Sequence, residues 1–198
     1  IRSNISSSRL NTVSTASLLI QTAAAQRNTA VSKMTLEDGA SSSLIMQTAI
    51  GQGDTMVSPL HMAMVASAIA NNGTLMEPYI IDHTQNESGT IVKQFDATSY
   101  GELLSSSDAA TLQEYMRFVV TNGTGSVLNS DLYEANGKTG TAEFSSNKNE
   151  DHSWFVGFAK NAEGKQIAVA VVMEGVESGG HYAVPATKKI FDAYFGAY

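Results

Sequence analysis

Apolar residues recur at helical spacing most clearly between residues 58 and 70, in the stretch SPLHMAMVASAIA. Ser58 can cap the start of a helix, and Pro59 stands at the first helical position, where proline is preferred. The sequence NNG follows and ends the pattern. Because apolar residues occupy every face, we predict that this helix is buried inside the domain.

Weaker patterns predict three more helices in the first two thirds of the chain. A short one is expected within residues 14–25, STASLLIQTAAA. The stretch ASSSLIMQTAIGQG is expected to begin a helix at a serine and to end it at Gly51 or Gly53, where glycine supplies left-handed backbone angles. A third helix is predicted from about residue 107 to residue 120, with one apolar side.

Two β-hairpins are predicted from apolar runs that flank turn residues. Residues 78–95 place the segments PYIIDH and TIVKQF on either side of the turn sequence NESG. In the last third, SWFVGFA alternates, QIAVAVVME is continuously apolar, and KNAEGK lies between them as a tight turn. We predict that the second strand of this later hairpin is central in a sheet and covered on both faces.

The chain closes with a predicted helix from about Val184 to Gly196, and Pro185 stands near its start. Its inner stripe is expected to consist of four large apolar residues: Ile190, Phe191, Tyr194 and Phe195. Helices therefore come first, strands follow, and a helix returns onto the sheet. This order predicts an α+β fold with an antiparallel sheet covered by helices.

Composition narrows the possible functions. The chain has 198 residues, of which 42% are hydrophobic and 16% charged, which suits one domain or most of one. Its formal net charge of -7 and the lack of a basic cluster argue against nucleic-acid binding. The absence of cysteine excludes disulfides, thiolate metal sites and a cysteine nucleophile. No apolar run reaches the roughly 18 residues that a membrane-spanning helix needs.

The stretch ANGKTGTAEF, residues 135–144, carries the candidate chemistry and has two interpretations. As a phosphate-binding loop, Gly-x-x-x-x-Gly-Lys-Ser/Thr, it would need glycine at position 132, which is Leu132, and a helix after it. The residues TGTAEF favour a strand instead. In a strand, Lys138 and Gly140 would face one side and Thr139 and Thr141 the other.

A strand of this kind predicts a site for a peptide-like ligand with a negative end. An exposed strand edge offers N–H and C=O groups that can hold an extended peptide by strand addition. A lysine beside these groups would attract a carboxylate, and Gly140 would let a ligand approach the backbone closely. Taken alone, however, Lys-Thr-Gly is also compatible with a solvated lysine next to a turn.

Several other blocks occur with Lys-Thr-Gly in one order: TAIGQGDTMVSPLHMAMVASAIANNGTLMEPYII, GTGS, GKTGTAEF, SWFVGFA and a closing helix. Over about residues 29–198, the chain resembles the C-terminal part of the transpeptidase domain of penicillin-binding proteins. It is most similar to the class B, elongation-type enzymes of Gram-positive bacteria. The resemblance implies the penicillin-recognising serine transpeptidase and β-lactamase-like fold, whose third signature is Lys-Thr-Gly.

The resemblance also implies roles for four residues. Lys138 would anchor the substrate and tune the catalytic serine–lysine network. Thr139 and Thr141 would donate hydrogen bonds to the carboxylate of a D-Ala-D-Ala stem peptide or a β-lactam. The backbone N–H of Thr141 would be half of the oxyanion hole, and Gly140 would keep the strand open to substrate.

The family's nucleophile motif, Ser-x-x-Lys, and its Ser-x-Asn motif are not found upstream of these blocks. The only Ser-x-x-Lys is Ser145 to Lys148, in the polar stretch SSNKNEDH, which also contains Ser-x-Asn. Ser-x-x-Lys requires a helix to bring the lysine beside the serine, and a polar loop is predicted here, so we reject this match. We expect that residues 1–198 are the C-terminal part of one transpeptidase domain and contain no nucleophile.

Two broader expectations complete the prediction. The four histidines, at positions 61, 83, 152 and 181, are widely spread, so neither a metal site nor a cofactor is expected. The resemblance implies a cell-wall protein on the extracytoplasmic face of the bacterial membrane, attached by an anchor outside these residues. It also implies a cell-wall synthesis complex as a partner. The alternative function is a sensory or non-catalytic domain that binds penicillin or peptide.

Overall fold

The structure is a computed structural model, and it describes residues 32, 38–143, 150–176 and 181–196. Four α-helices lie in these residues: α1 (Ser42–Ala49), α2 (Pro59–Ala70), α3 (Ser106–Asn122) and α4 (Ala183–Phe195). Seven strands accompany them: β1 (Thr74–Met76), β2 (His83–Gln85), β3 (Ile91–Gln94), β4 (Ser99–Glu102), β5 (Glu134–Ala142), β6 (Asp151–Lys160) and β7 (Gln166–Val176). The α+β class predicted from the sequence is confirmed.

Local sequence explains where three of the helices begin. The hydroxyls of Ser41, Ser58 and Ser105 each accept a hydrogen bond from a backbone N–H in the first turn of α1, α2 and α3, respectively. Pro59 stands at the start of α2, as predicted. The helix expected within residues 14–25 lies outside the described residues.

Strands β5, β6 and β7 form an antiparallel three-stranded sheet in that spatial order. Two smaller antiparallel pairs, β1 with β4 and β2 with β3, lie between α2 and α3 in the sequence. The hairpin predicted in residues 78–95 is therefore present as β2 and β3, with its strands shorter than expected. The later hairpin is present as β6 and β7.

The sheet separates two apolar clusters. One includes Phe155, Val169 and Phe191 and lies between the sheet and α4. The other includes Ala66 and Met116 and lies between the sheet and the helices α2 and α3. Burial on both faces explains why β7 is continuously apolar.

Three details of the sequence prediction are wrong. Among the described strands, β7 is at an edge and not central, because β6 lies between β5 and β7. Helix α2 is not buried all round, because only part of it faces the sheet and His61 is exposed. In α4, Phe191 is buried and the rings of Tyr194 and Phe195 pack against the same cluster, but Ile190 points outward and is 36% exposed.

A polar contact joins α4 to the residue that precedes β5. The Tyr133 hydroxyl donates to Asp192 Oδ1 at 2.8 Å, and Lys188 Nζ donates to both carboxylate oxygens of Asp192 at 2.9 Å. Burial and the hydrogen bond to Asp192 raise the pKa of Tyr133. Burial acts to raise the pKa of Asp192, but the hydrogen bonds from Lys188 and Tyr133 outweigh it, and the pKa is lowered.

No helix within the described ranges is both long enough and apolar enough to span a bilayer.

Candidate functional site

The residues Lys138 to Thr141 lie in the second half of β5, which forms one edge of the three-stranded sheet. The strand interpretation of this stretch is therefore confirmed. The phosphate-loop interpretation is excluded, because strand β5 continues to Ala142 where that loop requires the start of a helix. In the register with β6, Lys138 lies opposite Val156 and Thr141 lies opposite Ser153.

Side-chain donors reveal which backbone groups of β5 point away from β6. Arg117 Nη1 donates to the Ala135 carbonyl at 2.9 Å, and Lys138 Nζ donates to the Thr139 carbonyl at 2.7 Å. Gln52 Nε2 donates to the Thr141 carbonyl at 2.9 Å. In an antiparallel pair, the N–H and C=O of one residue point to the same side. The N–H groups of Thr139 and Thr141 therefore also point towards the outer edge.

This edge borders a cleft of about 620 Å³. Residues 138–142 of β5 form one wall, together with Trp154 and Val156 of β6. The opposite wall is largely apolar and comes from α2 and α3, through Met62, Val65, Ile69, Leu112, Tyr115, Met116 and Val119. The loop after α1 closes one end, through Ile50, Gly51, Thr55 and Val57. A mainly apolar cleft with a few polar groups on one side is typical of a ligand site.

The loop after α1 also supplies a side chain that contacts β5 and was not predicted from the sequence. Helix α1 ends at Ala49, and Gly51 and Gly53 have φ values of 79° and 70°. The helix stop predicted for GQG is thus confirmed, because both glycines have left-handed angles. Gln52, between them, reaches the Thr141 carbonyl across 89 residues of sequence. The signal available in the sequence was a glutamine held between two turn glycines.

A second missed residue lies in the loop that follows α3. The Thr124 hydroxyl lies 2.7 Å from the Thr139 hydroxyl, so the two side chains are hydrogen-bonded to each other. Thr124 is flanked by Gly123 and Gly125 within the sequence NGTGS. This contact brings the Gly-Thr-Gly block beside Lys-Thr-Gly and holds the Thr139 side chain, which is 9% exposed, in one orientation.

Two glycines of β5 have different surroundings. A Cβ at Gly137 would lie 2.1 Å from Cζ of the buried Phe155 ring, so the ring occupies the space that a side chain would need. A Cβ at Gly140 would meet only Trp154 Cβ, at 3.3 Å. Gly137 is therefore required for packing, whereas Gly140 lies on the cleft wall, as the prediction of an open strand requires.

None of the four histidines is among the residues that line the cleft. Ser145 and Lys148 lie outside the described residues. His61 and His181 are exposed. His83, the first residue of β2, has its Nδ1 2.9 Å from Asp82 Oδ1. His152 Nδ1 accepts from the Gly175 N–H at 3.2 Å. Within the described ranges, no three histidine or acidic side chains converge as a metal site.

The cleft combines a cation, hydroxyls and outward backbone donors and acceptors on one strand edge. Lys138 Nζ can attract a carboxylate, and the Thr139 and Thr141 hydroxyls can donate to it. The backbone groups of Thr139 and Thr141 can pair with an extended chain that lies along β5. The arrangement suits an extended ligand with amide groups and an anionic end.

Comparison with known proteins relates most of the chain to one family. Residues 17–192 match the family described as the penicillin-binding protein transpeptidase domain. The peptidoglycan D,D-transpeptidase MrdA of Acinetobacter baumannii is 31% identical over 147 residues, which are 68% of this chain and 22% of MrdA.

Two solved structures superpose well on the chain. The D,D-transpeptidase domain of a peptidoglycan glycosyltransferase from Eggerthella lenta has a TM-score of 0.63 and 32% identity, and the match covers 73% of this chain and 33% of that one. The imipenem acyl-enzyme complex of penicillin-binding protein A from M. tuberculosis has a TM-score of 0.69 and 28% identity, with coverage of 85% and 38%. The chain thus spans about a third of these solved chains and less of MrdA.

Proposed function

The chain belongs to the penicillin-binding protein transpeptidase domain family, and from this premise we propose that it is the C-terminal part of a serine D,D-transpeptidase domain. Its reaction is the cross-linking of peptidoglycan, and its inhibitors are β-lactams that acylate the serine. One observation carries this proposal: β5 presents Lys138, Thr139 and Thr141 along an edge of the sheet that borders a ligand-sized cleft.

The proposed substrate is a stem peptide that ends in D-Ala-D-Ala. Its terminal carboxylate would lie near Lys138 Nζ and the hydroxyls of Thr139 and Thr141. Its backbone would extend along β5, where the Thr139 and Thr141 carbonyls point outward. A β-lactam presents a comparable carboxylate and acyl group, so the same groups would hold it. The M. tuberculosis neighbour, solved as an imipenem acyl-enzyme, supports this assignment.

The Thr141 N–H has a distinct proposed role as one half of the oxyanion hole. It points to the same edge as its carbonyl, towards the cleft, where negative charge would develop on the attacked carbonyl oxygen. A donor in this position stabilises the tetrahedral state, and its loss typically lowers the rate about 100- to 1000-fold. The other donor would be the N–H of the nucleophilic serine.

The nucleophile itself is proposed to lie outside these 198 residues, together with its lysine and the Ser-x-Asn motif. The only Ser-x-x-Lys of the chain, at 145–148, directly follows the β5 segment in a polar stretch. A helix that brought Lys148 beside Ser145 is not indicated by this sequence. Residues 1–198 therefore supply one wall of the active site and are inactive alone.

The name of the A. baumannii relative supports a role in cell-wall synthesis. We place the domain on the extracytoplasmic face of the bacterial membrane, where peptidoglycan is cross-linked, with a membrane anchor elsewhere in the protein. Association with other cell-wall synthesis proteins is part of the same proposal.

Intact-mass spectrometry with excess benzylpenicillin tests the proposed function. The protein that contains this chain together with its upstream serine should gain the mass of one benzylpenicillin, and preincubation with a second β-lactam should prevent this gain. The 198-residue chain should gain no mass. An adduct on the short chain would locate a nucleophile within it, and Ser145 would then be mutated first. No adduct on the longer protein would contradict the proposal and favour a non-catalytic binding domain.

A further inference from the structure

Side chains of the same chain donate hydrogen bonds to three outward carbonyls of β5. Arg117 donates to the Ala135 carbonyl, Lys138 to the Thr139 carbonyl and Gln52 to the Thr141 carbonyl, at donor–acceptor distances of 2.7 to 2.9 Å. An uncovered strand edge is a general template for pairing with other chains, so such covering restricts which ligands can pair with it. Thr139 and Thr141, which accept two of these hydrogen bonds, line the cleft.

Gln52 differs from the other two donors because it carries no charge. Its side-chain N–H is chemically the same as the N–H of a peptide bond, so it pairs with the Thr141 carbonyl as an added strand would. The Gln52 backbone N–H donates to the Gln47 carbonyl at 2.8 Å, and the left-handed glycines on either side fix the direction of the loop. The side chain is therefore directed at the outer edge of β5, next to the cleft residue Thr141.

We propose that Gln52 is an internal competitor for strand-pairing ligands, and this inference rests on the proposed function. In the empty cleft, the Gln52 amide occupies the Thr141 carbonyl. A ligand that extends along β5 with its own amide N–H takes this carbonyl and displaces the Gln52 side chain. A ligand without such an N–H leaves the Gln52 bond in place.

The competition has a measurable consequence. An amide-bearing ligand exchanges one hydrogen bond to Thr141 for another, so it gains less than it would at an uncovered carbonyl. Removal of the Gln52 amide should therefore favour amide-bearing ligands by about 2- to 10-fold, the range that one neutral hydrogen bond gives. Ligands that lack the N–H should gain nothing from the same substitution.

The experiment compares second-order acylation rate constants in the protein that carries this chain with its serine. Benzylpenicillin has an acylamino N–H beside its β-lactam ring, and sulbactam has no substituent there. We expect Gln52→Ala and the similarly sized Gln52→Met to accelerate acylation by benzylpenicillin about 2- to 10-fold and to leave sulbactam within about 2-fold of wild type.

Gln113→Ala is the matched control. Gln113 Nε2 also donates to a backbone carbonyl, that of Ile69 at 2.7 Å, but it does not reach the β5 edge. This variant should leave the ratio of the two rate constants unchanged. Thermal unfolding of each variant, followed by circular dichroism, shows whether the amide matters only for stability.

The outcomes separate the two proposals. If wild-type protein is acylated but the Gln52 variants react more slowly, or change equally with both β-lactams, Gln52 is a structural tether and the inference is wrong. If neither variant folds, the same conclusion follows. If wild-type protein is acylated by neither compound, the proposed function fails, and the inference fails with it.

Discussion

The two ends of β5 belong to one strand but are held by different kinds of interaction. At its start, Tyr133 stacks on Phe195 at 5.0 Å between ring centroids and meets Phe191 edge-on at 5.6 Å. Ala135 is also fully buried in this cluster. At its other end, Lys138 is exposed and Thr141 lies on the cleft wall, with outward backbone groups held by side-chain donors.

This difference shows how one strand can be both rigid and accessible. Apolar packing against α4 fixes the first half in position, and the hydrogen-bonded register with β6 carries that position along the strand. The second half then presents polar groups without needing a core of its own. Binding groups on a strand supported in this way are held more accurately than groups on a loop.

The largest effect is expected at the accessible end. Lys138→Ala should slow acylation by benzylpenicillin about 100-fold or more, because it removes the cation that we propose as the anchor of the carboxylate. Thr139→Ala should also slow acylation strongly, because it removes the hydroxyl that is fixed by Thr124. Stopped-flow or fluorescent-penicillin assays of the serine-containing protein measure both rates.

Lys160→Ala provides the control for charge. Lys160 lies on β6, and its ammonium is 3.6 Å from the Glu134 carboxylate, away from the cleft. Both lysine variants should unfold within a few degrees of wild type because both residues are exposed. Unchanged acylation in both Lys138→Ala and Thr139→Ala would remove the basis for this site assignment.

The boundary between the two halves lies at Gly137, where the Phe155 ring takes the place of a side chain. Gly137→Ala should lower the free energy of unfolding by about 1–3 kcal/mol, because the added methyl overlaps a buried ring. Gly140→Ala meets only Trp154 Cβ at 3.3 Å, so it should cost less stability and slow acylation more. Urea unfolding and acylation rates, measured on both variants, test this contrast. Equal losses of stability would show that the two positions are packed alike.

Much of the fold follows from local sequence. Serine caps, Pro59 and the two turn glycines around Gln52 define helix ends by interactions within a few residues. The continuous apolar run of β7 indicated burial on both faces, but it could not indicate strand order. A strand covered on both faces by helices has the same sequence pattern at an edge as at the centre of a sheet.

The site was only partly predictable, because local sequence does not identify contacts between distant segments. Lys138 to Thr141 carry a short, specific pattern, so their strand could be inferred from the chain itself. Gln52 and Thr124 reach β5 from loops 89 and 15 residues away, and neither has a local pattern that names its partner. The exposure of His61 was also unpredictable, because the residues around it on α2 are apolar or small on every face.

At the anchored end, the loss of one hydroxyl should have a moderate effect. Tyr133→Phe keeps both ring contacts but removes the hydrogen bond to Asp192, so we expect a loss of about 0.5–1.5 kcal/mol in the free energy of unfolding. Acylation should remain near wild type, because the cleft end of β5 is not in contact with this group. Urea denaturation with a parallel acylation assay measures both. A large loss of acylation with little loss of stability would mean that the two halves of β5 are not separable.

The smallest effect is expected for the charge pair, and it should depend on pH. Lys188 and Asp192 are partly exposed, so Asp192→Asn should cost only about 0.2–1 kcal/mol near neutral pH.

The pKa of Asp192 is lowered from its ordinary value of 3.8, so its contribution is present above pH 3.8 and is lost as pH falls through the folded-state pKa. The pKa of Lys188 is raised above 10.5, mainly by its hydrogen bond to Asp192, so the contribution is also lost as pH rises through that higher folded-state value. The difference in unfolding free energy between wild type and Asp192→Asn should therefore be flat from about pH 5 to 9 and shrink on both sides. A difference that grows towards acid pH would contradict the direction of the Asp192 shift.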